Sequence, residues 1–192
     1  PPRVSRAEAM SFAEKSRDWV EKRLKAHGGG IALAPGNRIP LRGVLHEIRH
    51  VSARRGTVAV DATEALILVP GELPHLPRRL VDWMKTAARA DLQLASRKYA
   101  ALMDVTLKRI TIRDQRSRWG SCSAGGELSY SWRLILTPPH VLDYVAAHEV
   151  AHLKHMNHGP RFWRLVLTHC PEAVAAKRWL KTHGHGVHRI RM

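Results

Sequence analysis

The stretch "VAAHEVAHLKHMNHGPRFW", Val145–Trp163, sets four histidines within eleven residues, with a glutamate directly after the first. His148 and His152 are four residues apart, so on a helix they project from one face, about 6 Å apart along the axis. Two imidazoles can close that gap around one ion, and "HEVAH" fits the HExxH pattern. The neighbours Val145, Ala146, Ala147, Val150 and Ala151 are small and apolar, which predicts a buried turn. A histidine pair buried beside a carboxylate needs a reason to be there, and a ligated ion is one. A catalytic zinc site takes three protein ligands and leaves one position open. His155 shares the face of His148 but lies roughly 10 Å further along a straight helix, too far for bonds of about 2 Å. His158 would point away on a continued helix, yet Asn157 and Gly159 are residues that stop helices, and a chain bending back there returns His158 to the pair. The ligand set read from the spacing is therefore His148, His152 and His158 on one Zn2+, with His155 a solvated or supporting side chain. Glu149 then sits beside the open position as general base, taking a proton from a water that zinc has acidified.

Working outward, Pro138-Pro139 predicts the start of the histidine-bearing helix, because proline suits the first turn, and Gly159-Pro160 predicts its end. Helical stretches at about 160–169 and 172–182 follow, then a basic tail over 183–192 holding His183, His185 and His188. Upstream, "LKRITIRDQ" predicts a strand and "RSRWGSCSAGGELSYSWRLILT" a loop and hairpin turning on Gly125-Gly126. Residues 76–103 predict a long basic helix with Leu80, Trp83, Met84, Ala87, Leu92 and Leu94 on its apolar side. Before it, "GVLHEIRHV", "GTVAVD" and "ALILVP" predict an antiparallel meander ending at Pro70. Ser5 and Glu8 form a capping-box pattern opening a helix over about 6–27, which Gly28-Gly29-Gly30 ends. We expect a single domain over 1–182 and a solvated tail.

The chain has 192 residues, enough for one sizeable core. No apolar run approaches the roughly 18 residues of a bilayer span, and no signal-peptide pattern opens the sequence. Cys122 and Cys170 stand alone, without metal-ribbon or disulfide-framework spacing, which points to a cytoplasmic home, and without a spanning run no membrane is expected as a partner. The net charge of +16 allows a weak electrostatic contact with nucleic acid. Its arginines are spread along the whole chain, as on a solvated basic surface.

"RSRWGSCSAGGELSYSWRLILTPPHVLDYVAAHEVAHLKHMNHGPRFW", Arg116–Trp163, closely resembles the YgjP-like family of zinc metallopeptidases, related in pattern to SprT-like and minimal gluzincin-type peptidases. The match runs from about Ser5 to His183. Its specific parts are the WGSC stretch, the paired prolines, HExxH and the N-H-x-x-x-F-W segment. The resemblance implies an α+β, zincin-like fold, a small sheet packed on the helix that bears HExxH. It also implies zinc on His148, His152 and His158, Glu149 as base, and a peptide or protein substrate. The chain has neither the longer HExxHxxGxxH spacing nor a recognisable downstream acidic ligand, so the third ligand rests on the short spacing alone.

Trp119, Gly120 and Ser121 are candidate substrate-binding residues, since small residues on a strand beside the active helix let an extended peptide pair with its edge. The bland reading makes Trp119 core and Gly120 a turn. Phe162 and Trp163 read as packing residues that anchor the turn carrying His158. Tyr144 and Tyr130 are candidate oxyanion donors, and Asp114 and Glu172 candidate partners of the ligand imidazoles. Two other functions keep the metal: hydrolysis of a phosphoanhydride in arginine-rich surroundings, or a nucleic-acid module with structural zinc. A closed structural site has no need of a base such as Glu149.

Overall fold

The computed structural model describes residues 5–8, 10–12, 14, 16, 30–52, 55–115 and 117–191. The chain divides into two compact units, residues 1–30 and 31–192, where the sequence reading drew one domain. In the first, the described residues between 6 and 16 are helical and the capping box is closed. The Ser5 amide donates to Glu8 Oε2 at 2.9 Å and the Glu8 amide to Ser5 Oγ at 3.2 Å. The rest of the helix expected to run to 27 lies outside the described residues.

The second unit is a mixed α+β fold. Five strands come first: β1 (Ile31–Ala32), β2 (Arg38–Leu41), β3 (Val44–Val51), β4 (Ala59–Asp61) and β5 (Leu66–Pro70). A long helix α1 (Leu76–Leu102) follows, then β6 (Arg109–Arg113), β7 (Gly120–Cys122) and β8 (Glu127–Ser131). A 3-10 turn over Trp132–Leu136 leads to α2 (Pro139–Ala151), α3 (Pro160–His169), α4 (Ala173–His188) and β9 (Ile190–Arg191).

The expected antiparallel meander is corrected: the order is β2-β3-β5-β4, with β3 and β5 parallel. The reason is burial. "LILVP" is apolar on both faces and buried at four of its five positions, so it takes the centre. The short, more exposed Ala59–Asp61 is left at the edge.

On α1 the buried residues Leu76, Leu80, Met84, Ala88, Leu92, Ala95 and Tyr99 recur every three or four positions, one stripe against the core. Leu94 falls outside that stripe and is 74% exposed, against expectation.

The helix that matters for function is buried nearly all round. Val141, Leu142, Tyr144, Val145, Ala146, Ala147, Val150 and Ala151 are all core, which is the signature of a central helix. It packs on α1, α3, α4 and β7. Thr137 is extended and Pro138 caps the first turn, as the paired prolines predict.

The predicted hairpin turns between β7 and β8, with Ser121 opposite Ser129 and the Gly126 amide donating to the Ser123 carbonyl at 3.0 Å. In the order β6-β8-β7, strand β7 is the edge beside α2. The hairpin stops at Ser131, because Trp132–Leu136 turns inward as a fully buried 3-10 segment.

The solvated tail over 183–192 is also corrected. Helix α4 runs on to His188, and Ile190–Arg191 pairs in parallel with Ile31–Ala32. The apolar positions Val187 and Ile190, both buried, hold it down.

Candidate metal centre and active site

Helix α2 ends at Ala151, earlier than the sequence reading placed it, but His152 keeps helical dihedrals (φ −64°, ψ −21°). The four-residue spacing of His148 and His152 therefore survives. The chain then turns through residues 153–159, and α3 starts at Pro160. That turn returns His158 to the pair: one ligand atom from each of His148, His152 and His158 lies within 4.8 Å of the others. The Nε2 atoms of His148 and His158 are 3.0 Å apart. Beneath them sits Phe162, fully buried, its ring centroid 4.9 Å from His148, 4.6 Å from His152 and 4.8 Å from His158. Trp163 flanks His158 at 5.9 Å. The packing expected of these two aromatics is what holds the turn.

His155 stays out of the cluster because it has left the helix; its amide closes the end of α2 on the Ala151 carbonyl at 3.0 Å. Its own carbonyl accepts from His152 Nδ1 at 3.1 Å. A proton on Nδ1 leaves the Nε2 lone pair of His152 free for the centre. Support thus comes from His155 through its backbone. His148 Nδ1 is buried without a partner. Neither candidate partner serves it: Asp114 is ion-paired with Arg133, and Glu172 stands at the N-cap position of α4 without bonding His148 Nδ1.

Burial pushes the His148 imidazole down to about 3, helped by His152, His158 and Lys177. Burial also lowers His152, although the His155 carbonyl opposes it. Both rings are thereby held neutral, the form that ligates metal. Across 3.0 Å the Nε2 atoms of His148 and His158 either share a hydrogen bond, with one ring in its Nε2–H tautomer, or, with both lone pairs facing inward, present two donors to a cation. The donor set, three imidazoles converging beside a carboxylate that is not among them, fits a zinc-type centre with an open position.

Glu149 is 6% exposed, and burial raises its carboxyl to about 7 against the pull of Arg118. It faces a pocket of about 190 Å³ lined by Trp119, Gly120, Tyr144, Val145, His148, Glu149 and Leu180. A Cβ on Gly120 would lie 2.7 Å from both Cγ and Oε1 of Glu149. Only glycine lets the strand approach the carboxylate so closely.

Of the three candidate substrate residues, Trp119 and Gly120 line this pocket. Ser121 does not, because successive side chains on a strand point to opposite faces. Tyr144 lines the pocket too, with its ring 5.8 Å from His148, and burial raises its hydroxyl to about 12. Tyr130 is fully buried and bonded to Ser96 Oγ at 3.0 Å, so it is not an oxyanion donor to this pocket. Sequence reasoning missed Val145 as a pocket wall and Leu180 altogether. The first stands three residues before His148, which is a usable signal; the second lies on a helix distant in sequence, with none.

The domain of YgjP-like metallopeptidases matches residues 1–183 of the chain. No curated protein matches it. Among solved structures it is similar to the metallopeptidase zymogen of Pyrococcus abyssi abylysin. That likeness has 21% identity and a TM-score of 0.43, over 47% of this chain and 92% of that one.

Proposed function

Since the chain belongs to the YgjP-like metallopeptidase family, we propose that its peptidase chemistry is carried by Glu149 beside one zinc ion held on His148, His152 and His158. The observation that carries this reading is the convergence of three imidazoles, one of which, His148, lines the same pocket as the non-ligating carboxylate of Glu149. A bound zinc ion supplies Lewis acidity, polarising a carbonyl and acidifying water. Glu149 accepts the proton from the attacking water and passes it to the departing amine, so the carboxyl must change hands between two states near neutral pH. The largely apolar walls of Trp119, Tyr144, Val145 and Leu180 surround that exchange on the protein side. Edge strand β7 offers the peptide a backbone ladder, and Gly120 lets the carbonyl to be cleaved come near Glu149.

The test is cleavage of an unbiased peptide panel, with nucleoside triphosphates assayed in parallel, before and after removal of metal by a chelator and after return of zinc. Peptide cleavage that disappears and returns supports the reading; turnover of the triphosphates alone overturns it. Gly120→Ala is expected to lower peptide cleavage about a hundredfold with zinc content unchanged. The added methyl displaces Glu149, and misplacing a catalytic group by about 1 Å costs on that order. Retained activity would show that Glu149 need not sit against β7.

We propose only nonspecific nucleic-acid contact from the +16 charge. Duplex binding, followed by fluorescence anisotropy, is expected to fall steeply between about 50 and 200 mM salt, as counterion release requires. Affinity that survives the higher salt would point to a dedicated nucleic-acid site. No helix among the described residues is long and apolar enough to cross a membrane.

A further inference from the structure

We propose that Gly184, on the C-terminal helix, is a positioning residue that sets the depth of the substrate pocket through Trp119, so that the pocket takes an apolar side chain of limited size next to the cleaved bond. The proposal rests on the peptidase reading above and adds which side chain is selected and what selects it.

Three residues of α4 stand four apart, Leu180, Gly184 and His188, and so share one face of the helix. That face meets Trp119. Leu180 lines the pocket together with the indole. A Cβ placed on Gly184 would lie 3.1 Å from Cζ2 of Trp119 and 3.7 Å from its Cε2 and Nε1. The His188 ring packs on the indole with centroids 4.4 Å apart. Trp119 is therefore seated in a notch whose floor is a missing side chain.

Glycine is the worst helix former after proline, so its presence inside α4 needs a packing reason. Gly184 has one, while Gly186, two residues on, has nothing within 4 Å of where a Cβ would stand. The seat is anchored from behind. Arg133 Nη2 donates to the Ile190 carbonyl at 3.3 Å, and β9 is paired with β1. With α4 held in this way, the methyl added by Gly184→Ala is relieved by a shift of a few tenths of an ångström in the indole, toward the pocket it lines.

The pocket walls are Trp119, Tyr144, Val145 and Leu180, with His148 and Glu149 as the reacting groups at its end. None of the four walls offers a charge, so a charged side chain seated between them would be paired only by competing for Glu149, the group assigned to the reaction. A cavity of about 150 Å³ lined by apolar residues accepts a benzene ring, and this one, at about 190 Å³, accepts a leucine- to phenylalanine-sized group.

The experiment uses the zinc-reconstituted full chain with a proteome-derived peptide mixture and reads cleavage sites by mass spectrometry. Wild type is expected to favour Leu, Met or Phe at one position flanking the bond. Gly184→Ala is expected to lower cleavage at Phe at least tenfold relative to Val, since one methylene in an apolar pocket is worth about that much. Gly186→Ala, with the same gain in helix propensity, is expected to keep the wild-type profile. Trp119→Phe added to Gly184→Ala is expected to restore cleavage at Phe, because the smaller ring vacates the crowded edge. A Gly184→Ala profile equal to that of Gly186→Ala, or no preference for apolar residues in wild type, overturns the proposal.

A second arm needs no turnover. In protein labelled with 5-fluorotryptophan, the 19F line missing from Trp119→Phe belongs to Trp119. It is expected to shift in Gly184→Ala but not in Gly186→Ala, and to respond to N-acetyl-leucinamide but not to N-acetyl-aspartamide. If wild type cuts no peptide while these shifts occur, the peptidase reading fails and the pocket assignment stands. An unmoved line overturns the pocket assignment whatever the protein cleaves.

Discussion

Protein carrying His148→Ala, His152→Ala or His158→Ala is expected to hold zinc well below one ion per chain after dialysis, while His155→Ala retains it. Each of the first three supplies one of the ligand atoms gathered within 4.8 Å, and a three-ligand site loses geometry as well as one bond when an imidazole goes. Even the loss of a supporting partner lowers metal affinity about 10- to 100-fold, and loss of a ligand exceeds that. His155→Ala removes only a side chain, because the group that orients His152 is the His155 carbonyl, which every residue has. Metal content by mass spectrometry against protein concentration reads the result. Circular dichroism on the same samples separates loss of metal from loss of fold. His158 is the sharpest case: it is exposed and lies beyond the end of α2, so its removal leaves that helix intact. Zinc kept by His158→Ala and lost by His155→Ala would reverse the assignment of the third ligand.

The return of His158 to the other two histidines also marks how far a sequence can be read. The spacing of His148 and His152, the stop signals at Asn157 and Gly159 and the anchoring aromatics Phe162 and Trp163 are all local, and the structure arranges them as periodicity and turn chemistry require. The paired prolines and the hairpin at Gly125-Gly126 were legible for the same reason. What failed was non-local. Strand β5 enters between β3 and β4 because burial on two faces outweighs adjacency in the chain, and no neighbour of Leu66–Pro70 announces it. Leu94 has the right residue type one position off the buried stripe of α1, where a 100° step per residue turns it to solvent. The tail read as solvated because its histidines and arginines are polar. Yet Val187 and Ile190, two apolar residues in a basic stretch, suffice to seat it, and His188 is spent on Trp119. A wall built from Trp119 and α4 joins segments far apart in the chain, so half of the pocket was invisible until the fold brought them together.

Glu149→Gln is expected to keep zinc and fold while losing hydrolysis by roughly a hundred- to ten-thousand-fold, the usual worth of a general base. Glutamine has nearly the shape of glutamate, and Glu149 is not one of the three converging ligands, so the imidazoles keep their arrangement. The side chain is buried against Gly120, and an amide of the same size fills that space without the clash an added methyl would bring. Folding should not suffer, since burial already disfavours the charged carboxylate that the substitution removes. What disappears is the carboxylate to which the proposed mechanism gives the proton of the attacking water and its return to the departing amine. Zinc content, melting temperature and cleavage of the best peptide from the panel are to be compared between the variant and wild type. Equal zinc and melting temperature with cleavage gone support the assigned role. Zinc lost along with cleavage would make Glu149 part of the metal site, and cleavage retained would remove it from the mechanism. Glu149→Asp separates position from chemistry: it restores a carboxylate one methylene short of the pocket, so it should recover part of the rate if proton transfer is the function and none if Glu149 only packs against β7.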